Sequence, residues 1–518
     1  MLKKIIFIFS ISTVCLLNAQ IKCPSFFSDK MVLQRASNAP IWGWAKPNEK
    51  ISISTSWGAG STAQADGHGE WKLFIETPKA GGPHTINIKG NNSQLTFKNV
   101  MIGDIWLCVG QSNMDAKMKR YSTEVPAQAQ KSKVRLFKAP MVSAYEDQKD
   151  INSKWTDSDA NNLGHFSAVG YYFGREIEKE TNIPIGLIQA SWGSKFIEYF
   201  IPWEYQKKQK YLQKNRQMAL EQAKTYDRAK EEKVYDTAYA KWEADKEVWI
   251  KEGKQGEFRN KPKFKVHPIT ESASFASSVY SGMIHPFVGI QMKGVIWYQG
   301  EANSKKAHGE GWGDHYEEMI ITLIKSWRKE WGIGDFPFYI VQLPNCWQAW
   351  NEPIELKEAW PYTRYGMLQA SLKLPKVEIA VAEGLGEAKN VHPKKKKEVG
   401  QRLALLALRH DYRKNIPWSG PLAKSCVFNV KDAVVTFENG GSDLVAKDGL
   451  PLKGFAVIDQ NGEIQEAKAK IISKDKIMIH STNDKPFNAV YYAWANNAVG
   501  ANLENKAGLP ASVFKFER

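Results

Sequence analysis

Five residues, Gly110-Gln111-Ser112-Asn113-Met114, stand directly after the apolar run Ile105-Trp106-Leu107-Cys108-Val109. A serine behind a glycine that permits a tight turn, at the carboxyl end of a buried strand, is placed for nucleophilic attack. On its own a Gly-x-Ser is only a turn serine. Three more segments change that reading. Ala190-Ser191-Trp192-Gly193-Ser194 closes a second apolar run, and Gly193 can bring its backbone N–H close to Ser112. Gln299-Gly300-Glu301-Ala302-Asn303 closes a third, with the Gln299 and Asn303 amides able to donate to a developing oxyanion. Together with the N–H groups of Ser112 and Gly193 they would form an oxyanion hole, where losing one donor costs about 3 kcal/mol in the transition state. Asn390-Val391-His392-Pro393 precedes a helix that starts near Lys394, so His392 can reach over Ser112 and take its proton. The chemistry is acyl transfer through a serine ester, with no metal or organic cofactor required.

Such convergence needs a parallel sheet, and residues 101–412 supply its pattern. Short apolar runs at 105–109, 185–190, 294–298 and 338–342 alternate with helical candidates such as 169–179 and 315–331. Continuous apolar strands separated by helices imply a sheet covered on both faces. Residues 20–100 differ: Ile51-Ser52-Ile53-Ser54 and Thr85-Ile86-Asn87-Ile88 alternate with period two between Gly, Pro, Asn and Asp turns, as in a small N-terminal β-sandwich. Residues 413–518 return to β, with Ala433-Val434-Val435-Thr436-Phe437 and Lys476-Ile477-Met478-Ile479-His480 as strands. Residues 204–266, dense in Lys, Glu, Gln and Ala, read as a helical hairpin inserted into the middle part, a structural insert in preference to a lid.

These blocks resemble the SGNH hydrolase superfamily, and within it the sialate O-acetylesterase family. Phe27-Ser28-Asp29-Lys30-Met31-Val32-Leu33-Gln34-Arg35 and Ile41-Trp42-Gly43-Trp44 are similar to that family's opening β domain. Trp297-Tyr298-Gln299-Gly300-Glu301-Ala302-Asn303, His392-Pro393-Lys394 and Val399-Gly400-Gln401-Arg402-Leu403-Ala404 resemble its later blocks, and Tyr492-Ala493-Trp494-Ala495 its C-terminal β domain. The resemblance implies a flavodoxin-like, three-layer α/β catalytic domain flanked by N- and C-terminal β domains. It also implies hydrolysis of O-acetyl esters on sialic acids or related sugars, Ser112 as nucleophile, His392 as base, and oxyanion roles for Ser112, Gly193 and a third-block side chain, Asn303 or Gln299.

One departure stands out. Many relatives carry Asp two residues before the histidine, where this chain has Asn390. A neutral amide can orient an imidazole but cannot stabilise imidazolium by charge. Three readings follow: a Ser–His dyad, a substitute carboxylate from Glu383, Glu387 or Glu301, or impaired activity. Acetylxylan or pectin esterase activity on the same fold is the alternative to a sialate substrate, and a non-catalytic glycan-binding protein is the reading from another class.

Composition sets the frame. With 518 residues, 43% hydrophobic and 12% aromatic, the chain is globular and multi-domain. Its 19 tryptophans divide between core packing and sugar stacking, a division the sequence leaves open. The net charge of +16 suits solubility or an anionic glycan, and no aromatic-basic motif points to nucleic acid. Lys3 and Lys4 before the apolar run at 5–17 read as a signal peptide over residues 1–19, which predicts an exported protein without stable membrane insertion. The four cysteines beyond it, Cys23, Cys108, Cys346 and Cys426, have neither disulfide-framework density nor zinc spacing.

Overall fold

The structure is a computed structural model that describes residues 20–121, 132–256, 258–272, 275–305, 313–350 and 352–518. The segment read as a signal peptide, 1–19, lies outside the described residues.

One strand, Gln94–Gly110, organises the front of the molecule. Its first residues mix exposed and buried positions, as a strand with one solvated face should, while every residue from 100 to 110 is buried. The change follows its partners. Residues 94–102 pair antiparallel with Gly81–Lys89, while 104–110 pair parallel with Ile185–Ser191 and 106–110 with Gly294–Tyr298. The boundary expected between residues 100 and 101 therefore falls inside a continuous strand that serves both the N-terminal strands and the central sheet.

Across the central sheet the order is Val377–Val381, Phe338–Gln342, Gly294–Tyr298, Gln94–Gly110, Ile185–Ser191, Val134–Lys138 and Trp155–Asp157. Only the last pairing is antiparallel. With the two outer strands at 134–138 and 155–157 set aside, the five remaining strands run 2-1-3-4-5 in chain order. Gln94–Gly110 is thus the switch point where the chain winds first one way and then the other, and ligands bind beyond the carboxyl ends of strands at such a point. Register brings those ends level: Gly110 is opposite both Ser191 and Tyr298.

Helices cover the sheet in pairs, Ala168–Thr181 against Lys396–His410 and Tyr316–Trp331 against Ala359–Lys373. Ser167 caps the first of these by accepting the Gly170 N–H at 3.0 Å. The expected insert is present as Lys210–Lys224 and Arg228–Lys251, and the second helix buries no residue. The first is anchored through Leu212 and Arg216, whose guanidinium lies 4.2 Å from the Tyr145 ring and 4.5 Å from the Trp203 ring.

From Leu422 to Glu517 a seven-stranded antiparallel sheet follows. Ile354 packs with Ala456, Ala489, Tyr491, Trp494 and Val513, sealing that sheet onto the central part. The four cysteines are free. No helix among the described residues is long and apolar enough to cross a membrane.

Candidate active site

The chain leaves the switch-point strand through Gly110, at φ +146. A Cβ there would lie 2.0 Å from the Tyr298 carbonyl oxygen, so only glycine lets the two strands run together to their ends. Gln111 N–H donates to that same oxygen at 3.0 Å, and the Trp192 N–H donates to the Gly110 oxygen at 3.0 Å. The turn then enters the short helix Ser112–Asp115 with the serine at its first position. Among the described residues the Ser112 and Gly193 N–H groups have no acceptor, and a Cβ on Gly193 would sit 3.5 Å from that of Ser112. Two free donors thus flank the hydroxyl, the arrangement an oxyanion needs.

His392 comes to this point from the far end of the chain. Its Nε2 lies 2.8 Å from Ser112 Oγ. Burial first, and then the positive charges of Lys396 and Arg120, hold its pKa below the usual histidine value. The ring stays neutral at physiological pH, the state in which it can accept a proton.

The loop that carries the histidine is held by the side chains of Asn390 and Glu387. Asn390 Oδ1 accepts the His392 N–H at 3.0 Å, and Asn390 Nδ2 donates to the His392 carbonyl at 2.8 Å and to Glu387 Oε2 at 3.1 Å. Glu387 also accepts the Lys394 N–H at 2.7 Å. Both residues fix the loop rather than touch the imidazole. Glu383 is taken by Arg364 at 2.5 Å. Glu301 accepts from Asn113 at 2.5 Å, and its other carboxylate oxygen is buried without a partner. Among the described residues no carboxylate hydrogen-bonds the His392 ring; of the carboxylates weighed as substitutes for a triad acid, Glu301, Glu383 and Glu387 are each bound to other partners.

The third block also differs from expectation. Both Gln299 amide hydrogens are committed, to the Lys195 carbonyl at 3.0 Å and to Asn303 Oδ1 at 2.8 Å, so Gln299 has none to offer an oxyanion. Asn303 is fully buried, accepts the Ile197 N–H at 3.1 Å and donates to Glu198 at 3.2 Å. The block reaches the nucleophile turn instead through Gln111 Oε1, which accepts the Ala302 N–H at 3.2 Å.

Two residues escaped the sequence reading. Asn113 is buried, and its Nδ2 donates to Glu301 Oε1 and, at 2.9 Å, to the Val391 carbonyl. Its Oδ1 accepts from Lys396 Nζ at 2.5 Å. Lys396 is only 1% exposed, and burial pushes its amine down to about 7. Burial raises Glu301 to about 6. The only available signal was adjacency: Asn113 follows the serine, and Lys396 sits four residues beyond the histidine.

Ser112 and His392 open into a cleft of about 740 Å³ whose walls include Glu301, Trp347, Glu358 and Asn496. No described residue of the helical insert lines it.

A parallel sheet with a serine and a histidine in contact at its switch point, beside free N–H donors, defines an α/β ester hydrolase. The sequence pattern of a carbohydrate esterase family, the sialic acid-specific acetylesterases, matches residues 102–243 and 269–409, more than half of the chain. The chain belongs to this family and is a carboxylic ester hydrolase acting on O-acetyl groups of carbohydrates. It is 28% identical to mouse (Mus musculus) sialate O-acetylesterase over 77% of this chain and 75% of the relative. The human (Homo sapiens) sialate O-acetylesterase is 26% identical over 77% of this chain and 72% of its own. A crystal structure of a carbohydrate acetylesterase from Xanthomonas citri superimposes with a TM-score of 0.77 at 28% identity, covering 96% of this chain and 99% of that one.

Proposed function

We propose that Ser112 and His392 act as a catalytic dyad that removes O-acetyl groups from carbohydrates. The observation that carries the reading is the 2.8 Å contact between Ser112 Oγ and His392 Nε2 at the sheet's switch point. His392 takes the hydroxyl proton as Ser112 attacks the acetyl carbonyl, and the tetrahedral oxyanion is held by the N–H groups of Ser112 and Gly193. The sugar alkoxide leaves with the proton from His392. Water, deprotonated by the same ring, then releases acetate from acetyl-Ser112. Asn390 sets the loop that presents the ring, and an ester, more reactive than an amide, demands less of the base. The names of the mammalian relatives bring O-acetylated sialic acids into the substrate range, and that of the Xanthomonas structure acetylated carbohydrates more broadly.

The strand order 2-1-3-4-5 and the two helix pairs support a flavodoxin-like, three-layer SGNH core. It is flanked by an N-terminal β-sandwich, which shares the switch-point strand, and by a C-terminal β domain. The basic start and apolar run at 3–17 support export.

Ser112→Ala tests the assignment. Acetate release from 4-nitrophenyl acetate and from O-acetylated sugars should disappear while circular dichroism and melting stay unchanged. Retained turnover in the folded variant would refute the nucleophile.

A further inference from the structure

Of the 19 tryptophans, Trp347 is the one exposed side chain among the described residues, at 48%. It lines the cleft that holds Ser112 and His392. Its backbone sits at φ +69, a left-handed conformation that bulky residues rarely adopt and that persists only where the surroundings enforce it. Here the C-terminal part does so. Asn497 Nδ2 donates to the Trp347 carbonyl at 2.9 Å, and the Cys346 N–H donates to the Asn496 carbonyl at 3.0 Å. Trp360 meets the Trp347 ring edge-on at 6.4 Å.

Asn496 lines the same cleft from the C-terminal loop. Its N–H donates to Glu355 Oε2 at 2.8 Å and its Nδ2 to Glu358 Oε2 at 2.7 Å. Its Oδ1 is buried with no partner. Its two N–H bonds hold the Glu355 and Glu358 carboxylates at the cleft wall. Three carboxylates line the described cleft, Glu301, Glu355 and Glu358, against one amine, Lys305.

We propose that Trp347, Asn496, Glu355 and Glu358 form a glycosyl subsite that selects an uncharged sugar unit. This deepens the dyad reading and rests on it. The C–H face of a pyranose lies on the Trp347 ring, an amphipathic surface suited to a ring that is apolar on its faces and polar at its rim. Its hydroxyls donate to the carboxylates of Glu355 and Glu358. A sugar carboxylate would meet like charge at the same wall, which is discrimination by repulsion. Because Asn496 and Asn497 belong to the C-terminal part, that part completes the substrate site.

The test compares kcat/KM of the full chain for an O-acetylated xylo-oligosaccharide, an O-acetylated sialic acid and 4-nitrophenyl acetate, which carries no sugar. The wild type should favour the neutral sugar over the sialic acid by about tenfold or more. Trp347→Ala should lower the ratio of neutral sugar to 4-nitrophenyl acetate about tenfold, mainly through KM. Glu355→Gln with Glu358→Gln should narrow the neutral-over-anionic preference by about tenfold. A wild-type preference for the sialic acid would overturn the subsite, as would turnover of 4-nitrophenyl acetate with both ratios unmoved in folded variants. Failure of the wild type on all three esters would bring down the dyad reading and the subsite with it.

Discussion

Asn113 Nδ2 donates to the carbonyl oxygen of Val391 at 2.9 Å, so the residue after the serine holds the residue before the histidine. The same amide reaches Glu301 in the third block and Lys396 on the final helix. Three segments far apart in sequence meet on one side chain, and the 2.8 Å contact between Ser112 and His392 depends on their meeting.

Asn113→Ala should therefore damage both stability and rate. It frees the Val391 carbonyl and leaves Lys396 and Glu301 buried without their shared partner. Each such unsatisfied group costs about 1–3 kcal/mol. Misplacing a catalytic group by about 1 Å costs up to about 10²-fold in rate. The expected outcome is a clear fall in melting temperature together with a kcat about 10²-fold lower on 4-nitrophenyl acetate. Wild-type kcat in this variant would show that the network does not position His392.

The pH profile should carry the mark of Lys396. His392 works as a base only when neutral, so activity falls as pH drops through its pKa. Burial and the charges of Lys396 and Arg120 depress that pKa, which places the acid limb of kcat/KM below the ordinary histidine value of about 6.5. Lys396 itself titrates at about 7, so its charge is in place across the limb. Removing that charge with Lys396→Met should move the limb to higher pH. A limb that stays put or moves down, or a wild-type rate that is flat to pH 4, contradicts this.

Asn390→Asp installs the acid that the family resemblance implies at this position, yet it should not improve this enzyme. The side chain at 390 grips the backbone of His392, and its Nδ2 donates to the His392 carbonyl and to Glu387. An aspartate would keep the bond to the His392 N–H but would set a carboxylate against Glu387 and lose both donated bonds. We expect a kcat several-fold lower, measured on 4-nitrophenyl acetate with the acid limb followed in parallel. A gain in kcat would mean that the loop can turn the new carboxylate onto the ring.

Much of the site was legible because it is local. Ser112, Gly193 and His392 each follow a strand or precede a helix within a few residues, and the level strand ends bring them together. The features that stayed hidden depend on distance. Lys396 lies in a run of four lysines at 394–397, and charge alone marks all four as solvated. Only the fold shows that one of them meets Asn113 and the rings of Tyr121 and Tyr298, at 5.3 and 5.8 Å. Gln299 looked free to donate because its acceptors, on the 195 carbonyl and on Asn303, are invisible to spacing. The seam at residue 101 was drawn where composition changes, but a strand can pass from a half-solvated sheet to a buried one without a break, and Gln94–Gly110 does. Trp347 is separable from the core tryptophans only by its exposure.

Gly110→Ala should be more damaging to the fold than Ser112→Ala, although only one methyl is added. The glycine sits at φ +146, where a side chain is strained whatever the space, and its Cβ would lie 2.0 Å from the Tyr298 backbone oxygen. Neither neighbour can yield cheaply, because Tyr298 and Gly110 are paired across adjacent central strands and the same Tyr298 oxygen accepts the Gln111 N–H. Relief requires the Gly294–Tyr298 strand to shift, and the nucleophile turn and third block would shift with it. We expect a destabilisation above about 3 kcal/mol, read as a lower midpoint in denaturant, and loss of esterase activity even in the fraction that folds. A Gly110→Ala protein with wild-type stability would show that the central strands separate more readily than their register implies, and the tight turn would then no longer explain how Ser112 is held.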